Sequence, residues 1–133
     1  MKHYEVVAAV IEYEDKILCM QRGKAKFEYT SYNFEFPGGK VEAGEENHIA
    51  LVRKLSEEMD LNVTISAKDY LLTVDHTYPD FAITMHVYLC KVDKPDFVMK
   101  EHISFKWLHA RELDSLDWAE ADKPIVEFLK NRF

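Results

Sequence analysis

Residues 6–13 form a nearly unbroken run of apolar and β-branched side chains, and residues 17–21 form a second. Short apolar runs bounded by turn formers read as strands, and Glu14-Asp15-Lys16 between these two predicts a hairpin. Residues 23–32 are polar and aromatic without a period and read as a loop. A short strand over 33–36 ends at Pro37-Gly38-Gly39, and the loop continues through 42–44. The clearest helical period covers residues 46–59. At about 100° per residue, Ile49, Val52, Leu55 and Met59 fall on one stripe. Arg53, Lys54, Glu57 and Glu58 fall on the opposite side, with small Ala50 beneath them. Further strands are expected at 63–66, 70–76, 82–92 and 104–108, with Tyr78-Pro79-Asp80 turning between the second and third of these. A terminal amphipathic helix is expected over 121–131, with Ile125, Val126 and Leu129 inward. Strands flanked by two helices, without regular βαβ alternation, predict an α/β fold in which a mixed β-sheet lies between helices.

A chain of 133 residues has room for one domain, expected to span 1–133. Lys+Arg number 17 and Asp+Glu 24, for a formal net charge of −7. That balance argues against long nucleic acid as a partner, because binding a phosphate backbone needs a basic footprint. A small phosphorylated ligand remains compatible if something cationic bridges the two. Cys19 and Cys90 lie in apolar runs and form no C-x-x-C pair, so they read as reduced core residues of a cytoplasmic protein. The apolar run 6–11 is too short for a secretory leader, and no stretch reaches the roughly 20 apolar residues of a membrane span. A monomer or a homodimer is expected.

The charged face of the 46–59 helix carries candidate chemistry. Adjacent carboxylates repel by a few tenths of a kcal/mol, and a hard divalent cation would reverse that penalty. Mg²⁺ and Mn²⁺ prefer oxygen ligands and keep several waters or phosphate oxygens. A solvated charged face explains Glu57 and Glu58 equally well when they are taken alone. Pro37-Gly38-Gly39 adds a strand end where the backbone can approach a ligand and expose a carbonyl, although an ordinary turn has the same composition. The joint spacing is more specific than either part: Gly39, five residues, Glu45, seven residues, Arg53, then Leu55, Glu57, Glu58 and Leu61.

In that register residues 39–61 resemble the 23-residue signature of the Nudix hydrolases, G-x5-E-x7-R-E-U-x-E-E-x-G-U, with U a bulky aliphatic. Seven of its nine specified positions match. The run from Glu35 to Glu42 is similar to the approach to this box in the MutT-like branch. The run from Asp117 to Pro124 resembles the end of MutT-like and CTP pyrophosphohydrolase-like members. The resemblance implies an α/β/α sandwich and a Mg²⁺- or Mn²⁺-dependent enzyme that converts a nucleoside triphosphate to monophosphate and pyrophosphate. It implies metal ligation by Glu57, Glu58, the Gly38 carbonyl and the distal Glu101. Glu45 would complete the metal shell directly or through water, and Arg53 would hold the neighbouring carboxylates. Arg22 matches a phosphate-contacting position, though a strand-end surface charge would look the same.

Two positions depart from the signature. Lys54 stands where the family has Glu, a proposed general base, and an ammonium has no acceptor for a proton of water. Loss of a positioned base costs typically about 10²–10⁴-fold, which predicts a slow or rerouted enzyme with Glu101, Glu45 or Glu57 taking the proton. Asp60 stands where the family has a helix-ending Gly, at an expected local cost of roughly 1 kcal/mol. Asp122 matches a base-reading position and fits cytosine or an oxidised guanine, such as CTP or 8-oxo-dGTP. It is equally suited to capping the terminal helix. Phe36, Tyr78 and Trp118 are candidates to stack on the base, although each taken singly reads more readily as core. The expected function is removal of damaged or surplus nucleotides. The alternatives are a catalytically weak nucleotide-binding Nudix domain and a Nudix enzyme acting on another nucleoside diphosphate derivative.

Overall fold

The computed structural model describes residues 1–132. The hairpin forms as expected: β1 (Lys2–Tyr13) and β2 (Lys16–Arg22) turn through Glu14 and Asp15, which have φ of 47° and 65°. Two successive left-handed residues match the right-handed twist of the flanking strands. The two strands pair only beside that turn, at Glu12↔Ile17 and Tyr13↔Lys16. Beyond it they diverge. β4 (Gly38–Lys40) takes the edge of β1 at Val6 to Ala8, and β3 (Phe34–Glu35) takes that of β2 at Met20 and Gln21. Ala9 N–H ties the segment between them to β1 by donating to the Pro37 carbonyl at 2.8 Å.

The other edge of β1 runs parallel to β6 (Phe81–Lys91), which pairs antiparallel with β5 (Tyr70–Thr77); β7 (His102–Leu108) runs antiparallel along β2. The result is a mixed seven-stranded sheet. β1 is apolar on consecutive residues because both of its faces are covered. Val7, Ala9 and Ile11 face helix α1 (Asn47–Met59) with Leu18, Met20, Leu51 and Leu55. Ala8 and Val10 face helix α2 (Lys123–Arg132) with Val87, Ile125 and Leu129. This is the expected α/β/α sandwich. Fully burying each Leu or Ile contributes about 1.5–3 kcal/mol.

Three local expectations are corrected. Residues 63–66 form no strand; only Ile65 of that segment is buried, and the chain reaches β5 through a 3-10 turn (Ala67–Asp69) with a Ser66–Asp69 capping box. The packed face of α1 is Ala50, Leu51, Leu55 and Met59, while Ile49 is 50% exposed. The face is therefore turned by about one residue step from the expected stripe. Ile49 and Leu51 are both apolar, so periodicity alone admits either. Ala50, lacking a bulky side chain, lies fully buried on the packed side rather than beneath the polar one. The third correction concerns α2, which starts at Lys123 after a separate 3-10 turn (Glu120–Asp122). Asp60 ends α1 in the left-handed region, at φ 50°, and its N–H reaches the Leu55 and Ser56 carbonyls. It takes the conformation expected of the missing Gly. No helix of the described residues is long and apolar enough to cross a membrane.

Candidate active site

The divergence of β1 from β2 opens a cleft of about 1030 Å³. Its wall is built from the end of β2 at Arg22, the loop from Gly23 to Phe27, the Gly38-Gly39-Lys40 strand and the start of β6. Of α1, only Lys54 and Glu58 line it. This follows from the turned helix: Lys54 and Glu58 sit at the border of the packed face and are only 20% and 22% exposed. Their side chains meet at 2.8 Å, Nζ to Oε1. The Lys54 stem lies over Gly39, where a Cβ would come within 2.2 Å of its Cε. Gly38 is bare for a different reason: a Cβ there would lie 1.9 Å from the Val7 carbonyl oxygen of β1.

Glu45, Arg53 and Glu57 do not line the cleft; they form a separate clamp beside it. Arg53 Nε and Nη2 donate to Glu45 at 2.8 and 3.0 Å, and Nη1 donates to Glu57 at 2.9 Å. Its hydrogen bonds hold the Glu45 carboxyl down at about 2. A carboxylate with so low a proton affinity is a poor base. Glu57 is 54% exposed on the outer side of the helix. Glu101 lines the cleft, as does Arg22, whose Nη1 lies 3.5 Å from Glu35.

Asp122 is buried and lines the cleft. Its Oδ2 accepts from the N–H of Phe36, 86 residues away in sequence, at 2.9 Å, and makes no cap on its own helix. Burial, helped by nearby Glu35, raises its proton affinity well above the usual carboxylate range. Phe36 and Tyr78 line the cleft. Trp118 does not: it stacks behind Phe36 at 4.6 Å between centroids, and its indole N–H donates to the Leu113 carbonyl. A fully desolvated indole satisfied by backbone is core.

Sequence reasoning missed several wall residues. Glu35 accepts from the half-buried His102 Nε2 at 2.9 Å, and both line the cleft. Phe27 and Phe81 stack at 5.7 Å along its rim. Lys2, Lys24, Lys26 and Lys40 join Arg22 and Lys54 on the lining. Thus six of the 17 basic residues face the cleft against five of the 24 acidic ones, Glu35, Glu58, Asp80, Glu101 and Asp122. The cleft lacks the acidic excess of the chain as a whole.

The geometry agrees with what comparison shows. A sequence model of the NUDIX domain matches residues 6–128. The chain belongs to the Nudix hydrolase family. It is 35% identical over 131 residues to a CTP pyrophosphohydrolase of Escherichia coli K12, covering 96% of this chain and 91% of that one. An 8-oxo-dGTP diphosphatase of the same strain is 28% identical over 130 residues, covering 98% of each. The solution structure of a MutT protein of the Nudix hydrolase family, from methicillin-resistant Staphylococcus aureus 252, matches all of both chains at 36% identity and a TM-score of 0.76. The MutT protein of Methanosarcina mazei Go1, at 18% identity and a TM-score of 0.85, shares the fold.

Nudix hydrolases generally use divalent metal ions. In kind, the donors of this Nudix cleft fit such an ion: the Glu58 and Glu101 carboxylates and the Gly38 strand all line it. Among the described residues, however, no three His, Cys, Asp or Glu converge on one point, and Glu58 is already engaged by the Lys54 ammonium.

Proposed function

We propose that this Nudix hydrolase, read as one domain over residues 1–133, is a MutT-like nucleoside triphosphate pyrophosphohydrolase. It releases pyrophosphate and the monophosphate from CTP or an oxidised purine triphosphate such as 8-oxo-dGTP, and so clears surplus or damaged nucleotides in the cytoplasm. The observation that carries the reading is the mixed chemistry of one cleft wall. It includes Glu58, Glu101 and the Gly38-Gly39 backbone, and also the buried Asp122 with Phe36 and Tyr78. The relatives named for CTP and 8-oxo-dGTP support the substrate class.

Glu58, Glu101 and the Gly38 carbonyl would hold Mg²⁺ or Mn²⁺, with Glu57 and Glu45 supporting from the Arg53 clamp. The ion supplies charge neutralisation and polarisation of the phosphate. The chain supplies the rest. Arg22 and the cleft lysines meet phosphate oxygens by charge-assisted hydrogen bonds. Asp122, whose proton affinity burial raises, meets the edge of a base as an acceptor and, when protonated, also as a donor. Phe36 and Tyr78 cover the faces of the base. Lys54 offers no acceptor for a proton of water, and Glu45 and Glu57 are tied to Arg53, so Glu101 takes it, through the carboxylate oxygen that does not hold the ion. Catalysis is slow for that reason.

The mutational test has two parts. Glu101→Gln and Glu58→Gln each lower kcat by about 10²-fold or more, with pyrophosphate release as the readout; unchanged turnover in both refutes the site. Lys54→Glu raises kcat by about 10-fold or more; a fall in kcat contradicts the missing-base argument. A second reading, a nucleotide-binding domain with little catalysis, is favoured by Lys54 and predicts no pyrophosphate from the parent protein at high enzyme concentration with Mn²⁺.

A further inference from the structure

Position 54, read as sequence, marks only the loss of a base, whereas its surroundings describe a built cationic site. The Lys54 ammonium has one ion-pair partner, Glu58 at 2.8 Å, and no other acceptor among the described residues. Two of its three donors are thus uncommitted, on a side chain that lines the cleft and is four-fifths covered. The stem is seated rather than trailing: it crosses the backbone of Gly39, whose missing Cβ leaves the room. Gly39 has no left-handed φ that would otherwise call for glycine; among the described glycines only Gly44 does. Glycine and lysine at these two positions therefore fit one another. Lys40 and Arg22 also line the cleft.

We propose that Lys54 is a phosphate-binding residue, its ammonium donating to a non-bridging oxygen of the substrate polyphosphate, so that this cleft holds a nucleoside triphosphate even with the divalent ion removed. The proposal rests on the nucleotide reading above and deepens it. A fixed ammonium is a compact point charge that binds phosphate without a metal. It also neutralises Glu58, which would otherwise repel the phosphates when no cation is present. The signature glutamate at this position could do neither.

The test is calorimetric titration of CTP, with a methylene in place of the α–β bridging oxygen so that it is bound without turnover, and separately of inorganic tripolyphosphate, into the whole chain in excess EDTA and again in excess Mg²⁺. Lys54→Met keeps a stem over Gly39 and removes the charge; Lys54→Arg keeps the charge. Should Lys54→Met fail to fold by circular dichroism, Lys54→Gln replaces it. In EDTA the parent protein binds both probes, Lys54→Met binds them about tenfold more weakly or worse, and Lys54→Arg stays within about threefold. In Mg²⁺ the deficit of Lys54→Met shrinks, whereas a purely structural role would weaken binding equally in both conditions. Equal binding of parent and Lys54→Met in EDTA overturns the proposal, as does a parent that binds CTP in Mg²⁺ and nothing in EDTA. Tripolyphosphate bound through Lys54 with no binding of CTP would instead sink the nucleoside reading. Neither probe bound under either condition overturns both.

Discussion

Asp122 is the residue whose environment departs furthest from its type. Its carboxyl is buried, accepts one backbone N–H and feels Glu35 nearby, and these together raise its proton affinity. The folded state therefore binds this proton more tightly than the unfolded chain. The stabilisation is fully present below the ordinary value of 3.8 and is lost as pH rises through the raised folded value. Asp122→Asn retains an acceptor for Phe36 N–H and has no such proton to lose. The Tm difference, parent minus variant, should fall steadily as pH rises from about 4 towards the alkaline range. Parallel Tm curves would contradict the assignment. In sequence, Asp122 was visible as a candidate, but its tie to Phe36 was not: a hydrogen bond spanning 86 residues leaves no local pattern, whereas a helix-capping Asp does. Lys54 was the reverse case, conspicuous in the motif, with its partner Glu58 legible from the i,i+4 spacing.

Two neighbouring glycines separate backbone from side-chain constraint at the level of elements. Gly38→Ala drives a methyl against the Val7 carbonyl, so the β1–β4 pairing must open. Gly39→Ala meets only the flexible stem of Lys54. Thermal unfolding should show Gly38→Ala losing about 2 kcal/mol or more and Gly39→Ala less than about 1. Gly39→Ala should nevertheless weaken nucleotide binding, because the ammonium is displaced. Equal losses of stability would contradict the packing of β4. Helix α1 provides a second contrast. Leu51→Ala should cost about 2–5 kcal/mol and Ile49→Ala within about 0.5. The reverse order in chemical denaturation would restore the stripe read from sequence. That stripe erred because α1 has apolar residues on both sides of its true face, and tertiary packing chose between them. Strands β1, β2, β5, β6 and β7 and both helices were legible because their runs are long, whereas the short run at 63–66 misled. The pairing of the 34–40 segment was not: its two- and three-residue strands exist only because β1 and β2 diverge.

Across the whole molecule, the −7 charge and the function need not conflict, because the charge is not evenly spread. The acids lie mostly outside the cleft, while the cleft collects more lysine and arginine than carboxylate. Sequence could show the sum but not this partition, since Lys2, Lys24, Lys26 and Lys40 are brought together only by the fork in the sheet. An acidic exterior disfavours long polyanions, and a cleft without that acidic excess admits a small one. The central claim is that a nucleoside triphosphate enters that cleft and leaves as monophosphate and pyrophosphate. Phosphorus NMR of the products, with CTP, 8-oxo-dGTP, the ordinary triphosphates and a nucleotide sugar each incubated with the chain and Mg²⁺, tests it most directly. The account predicts stoichiometric pyrophosphate and nucleoside monophosphate from CTP or 8-oxo-dGTP, and no turnover of the nucleotide sugar. Orthophosphate as the product, cleavage of the nucleotide sugar alone, or no product from any triphosphate would contradict it.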